Sequence, residues 1–262
     1  MPLKLNFHTL GEGTPVMILH GLFGSLGNWR MMAKNLSVNH QVITVDLRNH
    51  GKSAHAGSMT YVEMAEDVLH LITDQALRNT TLIGHSMGGK TVMTAALMQP
   101  ELIDRIIVMD IAPVSYKHRY GKLFSAMRDL PLNGIKTRNE AEKKLDALLN
   151  DPELARFLLQ NLVRTGNGFA WRLNLPALRN NIEHISGFPD LGPHAQYRKP
   201  ALFLGGAISH FIRPEHHPAI HGYFPKAEIE SIDKVGHMLH MEQPEIVLDK
   251  IRRFITPGIK TV

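Results

Sequence analysis

Residues 80–88 read TTLIGHSMG: a run of strand character passes directly into Gly84-His85-Ser86-Met87-Gly88, and a helical pattern follows at once until Pro100. No loop separates strand from helix. A chain reverses that abruptly only through a very sharp turn. Its central residue holds a strained backbone, and the residues two before and two after must be small enough for the segments to pass. The junction fixes a strand–turn–helix unit with Ser86 at its apex, and the rest of the chain must supply a sheet around that strand.

The flanking sequence does so. Residues 15–20 (PVMILH), 41–46 (QVITVD) and 105–111 (RIIVMDI) are further β-branched-rich runs of strand length. They are almost continuously apolar, as strands buried on both faces are. Thr60-Tyr61-Val62-Glu63 is a capping box that opens a helix to about Ala76. Strands alternating with helices predict βαβ units and a mostly parallel sheet. The alternation stops after Pro113. Residues 114–195 carry helical patterns and no strand: a second capping box at Thr137 and Glu140, a cap, first-turn proline and acid at Asp151-Pro152-Glu153, and a helix near 174–185 with Pro176 in its first turn. Sheet character returns at 200–205 (PALFLG) and 226–232 (KAEIESI), before a last helix from Pro244 to Phe254. The expected organisation is an α/β core from 1–113 and 196–262 interrupted by an all-helical insert, 114–195.

Composition narrows the chemistry. With 44% apolar and 20% charged residues among 262, the chain is not a disordered one. It has no cysteine, which rules out disulfides, thiolate metal sites and a cysteine nucleophile. The net charge of +5 is spread among acids with no long basic run, so nucleic acid is not an expected partner. The insert alone holds twelve basic and eight acidic residues, most of that excess. No apolar run approaches the ~20 residues of a membrane span, and polar residues follow Met1-Pro2-Leu3-Lys4 where a signal-peptide core would stand. A soluble, cytoplasmic protein with no membrane partner is expected.

Three segments carry the candidate chemistry. Ser86 sits on the turn at the start of a helix, where the dipole favours developing negative charge, and is the expected nucleophile. His20-Gly21-Leu22-Phe23-Gly24 follows the first strand. Acyl chemistry needs two backbone N–H groups aimed at the oxyanion; Met87, after the nucleophile, should give one and Leu22, next to Phe23, the other. Gly236-His237 lies between the last strand and the last helix, the place and chain order of a general base. His237 is chosen over its neighbour His240 on that ground, since sixteen histidines make any single one uninformative.

Together HGLFGS (20–25), DLRNHGKS (46–53), GHSMGGK (84–90), DIAPV (110–114), WRLNL (171–175) and GHMLHMEQP (236–244) resemble the α/β-hydrolase superfamily over nearly the whole chain. Within it they are similar to the branch of YbfF-type esterases and abhydrolase-domain 11 proteins. The resemblance implies an α/β-hydrolase fold with a helical cap, a serine hydrolase acting on small-molecule carboxylic esters or acyl-CoA thioesters, and no cofactor or metal. The sequence departs from the superfamily at the acid. Most relatives place an Asp after the strand that here precedes Gly205-Gly206-Ala207-Ile208-Ser209, and Ser209 stands in its place. A hydroxyl cannot stabilise an imidazolium as a carboxylate does. Either the site is a dyad or the carboxylate comes from elsewhere. Asp110, one strand earlier, can reach the same space, and YbfF-like enzymes use that position; the alternative is that Asp110 only caps the chain as it leaves the sheet.

The remaining candidates are weaker. Asp46 and Arg48 read as structural, His50 as a surface-loop residue, and His216-His217 as a metal pair only if a third ligand exists, because adjacent helical residues diverge. Phe23, Met87 and Trp171 are expected to line an acyl pocket. A carbon–carbon bond hydrolase or a non-catalytic binding protein of the same fold remains open, while a dehalogenase would need a carboxylate at the turn.

Overall fold

In the computed structural model, which describes residues 1–117, 120–166 and 168–256, the apolar runs form the centre of one seven-stranded sheet. The strands are β1 (Asn6–Leu10), β2 (Pro15–Leu19), β3 (Gln41–Asp46), β4 (Thr80–His85) and β5 (Ile103–Met109), then, beyond a small hairpin of β6 (Leu162–Thr165) and β7 (Gly168–Trp171), β8 (Ala201–Gly206) and β9 (Ala227–Ile232). Their order is β1-β3-β2-β4-β5-β8-β9, with β6 and β7 outside the sheet. Within the seven-stranded sheet every pair is parallel except β1 with β3, and the separate β6–β7 pair is antiparallel. Strands β2, β4 and β8 are buried along their whole length. Successive residues serve opposite faces, as the pleat requires: Met17 and Leu19 join one apolar cluster, Val16 and Ile18 the other.

Helices α2 (Tyr61–Asp74) and α3 (Met87–Met98) pack together, as do α1 (Arg30–Leu36) and, at the chain's end, α11 (Pro244–Ile255). The capping box at the head of α2 is present in both halves, Thr60 Oγ1 accepting from Glu63 N–H and Glu63 Oε2 from Thr60 N–H. Strand β1 has no counterpart in the sequence reading, because NFHTL is a half-buried edge strand with no apolar run.

Between β5 and β8 the chain forms α4 (Gly121–Asp129), α5 (Arg138–Leu149), α6 (Pro152–Leu159), the β6–β7 hairpin, α7 (Leu175–Asn180) and α8 (Ile182–Ser186). The insert is therefore not all-helical. Four-residue strands are too short to carry a period, and only Leu162 and Phe169 of this pair are fully buried. The single helix expected near 174–185 is two. It breaks at Asn181, whose side chain ties the end of α7 to the loop before α2, donating to Ala177 O (2.8 Å) and Gly57 O (2.8 Å) and accepting from Met59 N–H (3.1 Å). Among the described residues, no helix is long and apolar enough to cross a membrane.

Candidate active site

At the end of β4 the backbone of Ser86 is driven to φ +52°, ψ −118°. Its N–H donates to Met109 O (2.9 Å) and its carbonyl accepts from Lys90 N–H (3.1 Å), so neighbours on both sides hold the strained conformation. The small flanking residues are needed. A Cβ on Gly84 would stand 2.3 Å from Gly88 O, and one on Gly88 would stand 2.5 Å from Leu19 O.

Asp110, the first residue beyond β5, is fully buried and also has positive φ, +50°. Its Oδ1 accepts Gly206 N–H (3.0 Å), while Oδ2 accepts the Ser209 hydroxyl and lies 2.7 Å from His237 Nδ1. A ring nitrogen facing a carboxylate carries the proton. That leaves Nε2 of His237 as acceptor for the Ser86 hydroxyl, at 3.0 Å. The backbone around His237 is clamped by Glu242 on α10 (Leu239–Glu242), whose two carboxylate oxygens accept Gly236 N–H (2.7 Å) and Met238 N–H (3.0 Å). The sequence reading passed over Glu242, which binds main-chain amides and belongs to no side-chain motif.

The loop after β2 lies against Ser86: a Cβ on Gly21 would stand 3.3 Å from Ser86 Cβ. Phe23, at φ +61°, is fixed from both sides, its N–H donating to His50 Nε2 (3.2 Å) and its carbonyl accepting from Asn161 of the insert (2.6 Å). The Phe23 amide is thus occupied, whereas those of Leu22 and Met87 donate to no protein group among the described residues.

His50 is not on the surface. It is fully buried, because Nδ1 faces Arg48 O (2.9 Å) while Nε2 takes the Phe23 amide. His20 is used alike, with Nδ1 facing Gly21 O (2.8 Å) and Nε2 accepting from Leu47 N–H (3.0 Å). Each ring needs one protonated and one bare nitrogen. Burial enforces that neutral form, pulling His20 down to about 4 and, with His20 nearby, His50 to about 3. His240 stacks on Trp29 (4.3 Å, 19°) behind His85, and burial lowers it to about 4. It makes no hydrogen bond to Ser86.

A cavity of about 810 Å³ opens over Ser86. The core side presents His20, Phe23 and His237, and the insert presents Tyr120, Leu123, Leu154 and Phe157. Neither Trp171 nor Met87 lines it. Trp171 instead gives its indole N–H to Met127 O (2.9 Å), and the Met87 side chain is buried in the core. Asp46 binds Asn6, Leu26 and Lys52, and Arg48 pairs with Asp67 (2.7 Å), both holding loops. His216 and His217 belong to no group of three metal-ligating residues among those described.

Residues 14–244 match the family model described as alpha/beta hydrolase fold. The chain is 37% identical to the sn-1-specific diacylglycerol lipase ABHD11 of Danio rerio, over 98% of this chain and 84% of that protein. It is 35% identical to the esterase YbfF of Escherichia coli (strain K12), over 93% of this chain and 94% of the other. A solved marine microorganism esterase superposes with a TM-score of 0.93 at 37% identity, covering 96% of this chain and 99% of its own. Sequence and architecture agree over almost the full length, and the chain belongs to the α/β-hydrolase family.

Proposed function

We propose that the protein is a serine hydrolase that cleaves neutral carboxylic esters of short to medium acyl chains through an acyl-enzyme, with the segment between β5 and β8 serving as its cap. One observation carries the reading: Ser86, His237 and Asp110 stand in a row at 3.0 and 2.7 Å, beside two unengaged amides at Leu22 and Met87. His237 Nε2 takes the hydroxyl proton as Ser86 Oγ bonds to the acyl carbon. The carbonyl oxygen becomes an oxyanion facing the two amides, each worth roughly 3–4 kcal/mol in comparable enzymes. Asp110 fixes the tautomer and balances the imidazolium. The imidazolium then protonates the leaving oxygen, and the alcohol departs. Water, losing a proton to His237, attacks the acyl-enzyme; its collapse returns that proton to Ser86 and frees the acid. No step calls for a metal or cofactor.

The relatives' names, a diacylglycerol lipase and esterases, support ester cleavage. Against acyl-CoA as the preferred substrate stands the charge of the cavity mouth. Asp151, Glu153 and Glu242 lie there with Arg156, which is already paired with Glu142 (2.9 Å). The insert's basic excess is not gathered where a polyphosphate leaving group would lie.

Two assays test this. A fluorophosphonate probe should label the parent and fail to label Ser86→Ala; an unlabelled parent sinks the serine mechanism. Rates on p-nitrophenyl butyrate and butyryl-CoA should favour the ester in kcat/KM by tenfold or more beyond their ratio in alkaline hydrolysis. Parity would refute the neutral-substrate part alone.

A further inference from the structure

Hydrogen bonds at Nδ1 and Nε2 fix the two ends of the His237 ring and leave rotation about the line joining them. Two rings limit that rotation. His85, at the rigid end of β4, has its centroid 4.7 Å away, and Phe211 lies against the imidazole at 4.2 Å and 32°. Phe211 stands on the loop after β8, outside any helix or strand, so something else must hold it.

Its N–H donates to Ser209 Oγ (3.3 Å), the same hydroxyl that donates to Asp110. Its carbonyl accepts the Tyr116 hydroxyl (2.5 Å), and the two rings meet edge to face at 5.1 Å. The Tyr116 oxygen in turn accepts Ala112 N–H (3.0 Å), two residues beyond Asp110. Tyr116 also belongs to the start of the insert, and its own N–H donates to Ser186 O (3.0 Å) where the insert returns.

Lys90, on the first turn of α3, locks the same junction. Its ammonium faces the carbonyls of Val114 (2.8 Å), Ser186 (2.9 Å) and Gly187 (2.5 Å) and sits 4.8 Å from the Tyr116 ring. An unbroken chain of contacts thus runs from both ends of the insert through one phenol to the ring lying against the imidazole.

We infer that Tyr116 is a positioning residue for the base: its hydroxyl, by holding Phe211 against His237, sets the catalytic orientation of the imidazole. The inference rests on the reading of Ser86 and His237 as nucleophile and base. The half-buried Tyr116 phenol also contributes packing, and a second tyrosine separates orientation from stability. Tyr61 supplies the comparison. It is a buried tyrosine whose hydroxyl donates to the insert, at Ile185 O (2.6 Å), without touching Phe211 or His237.

The experiment uses the full chain with p-nitrophenyl butyrate, alongside the downfield proton resonance of His237 Nδ1–H. Tyr116→Phe removes only the hydroxyl and should lower kcat by about tenfold, the size of one hydrogen bond's net contribution, with KM within twofold. The Nδ1–H resonance should broaden or move upfield. Phe211→Leu should reproduce both effects, and the double variant should be no worse than the poorer single one. Tyr61→Phe should lower Tm and leave kcat and the resonance unchanged.

The inference is overturned if Tyr116→Phe and Phe211→Leu both keep kcat within twofold and the resonance in place. It is equally overturned if Tyr61→Phe slows turnover as much, since general loosening then explains the loss. Should Tyr116→Phe not fold, Phe211→Leu decides alone. Full activity in His237→Ala would remove the base reading and this inference together; an inactive His237→Ala beside an unaffected Tyr116→Phe removes only this one.

Discussion

The rim of the sheet and the insert above it face the same cavity and hold their residues differently. On the rim, Phe23, Ser86 and Asp110 all have positive φ; Ser86 and Asp110 are tied to the backbone of neighbouring strands, and Phe23 to the side chains of His50 and Asn161. Strain of that kind persists only where the surroundings over-determine it. The insert reaches the cavity through ordinary helix faces, Leu154 and Phe157 on α6 and Leu123 on α4, and binds the core through a few side chains such as Asn161, Lys90 and Tyr116. The difference teaches where each property should reside. Chemistry belongs to the rim, substrate choice to the lining that Phe23 shares with the insert's helix faces, and attachment to the insert.

The largest expected effect tests the rim. Asp110→Asn should lower kcat by about three to four orders of magnitude, because an amide cannot hold the tautomer or balance the imidazolium. Ser209→Ala, which removes only a hydroxyl from that carboxylate, should cost about tenfold or less. Equal losses in steady-state assays would mean that the rim's acid has been misassigned.

Acid should break the rim next. His20, His50 and His240 titrate at about 4, 3 and 4 in the fold and near 6.5 when unfolded. With folded values below unfolded ones, the unfolded chain binds more protons between pH 6.5 and those values. Stability therefore falls as pH falls through that window, by at most about 1.4 kcal/mol per group per pH unit. Thermal melts should show Tm dropping steeply from pH 6.5 to 4, and a flat Tm would contradict the burial of these three rings in neutral form.

Lys90→Met probes the attachment. It strips partners from three carbonyls and should destabilise by about 2–4 kcal/mol in urea titrations. A variant as stable as the parent would show that the ammonium holds nothing together.

The smallest effects concern substrate choice. Phe23→Ala, which enlarges the cavity, should shift preference toward longer acyl chains by a few-fold in kcat/KM. Trp171→Ala should leave the chain-length profile unchanged, because its indole lies outside the cavity. A profile that moves with Trp171 and not with Phe23 would reverse the assignment.

How far the sequence could be read follows the same division. Strands such as VMIL and TTLIG announce themselves because both faces are buried, and the Ser86 turn because backbone crossings at Gly84 and Gly88 leave room for nothing larger. β1 escaped because an edge strand need not be apolar, and the β6–β7 hairpin because four residues carry no period. Asp110 came into view through the resemblance and the mismatch at Ser209; nothing in RIIVMDI itself marks a catalytic acid. Asn161 binds a main-chain carbonyl far away in sequence, Glu242 binds two amides just before its own helix that no side-chain motif marks, and His50 reads as polar until the loop that covers it is known. Contacts of that kind exist only once the chain is folded.

The central claim is that one hydroxyl, one imidazole and two amides converge on a single acyl carbon. A crystal structure of the protein after reaction with a short-chain alkyl fluorophosphonate tests it most directly. The account predicts phosphorus bonded to Ser86 Oγ, with the phosphonyl oxygen within about 3.2 Å of both the Leu22 and Met87 nitrogens. An adduct on another residue, or a phosphonyl oxygen turned away from those two amides, would contradict it.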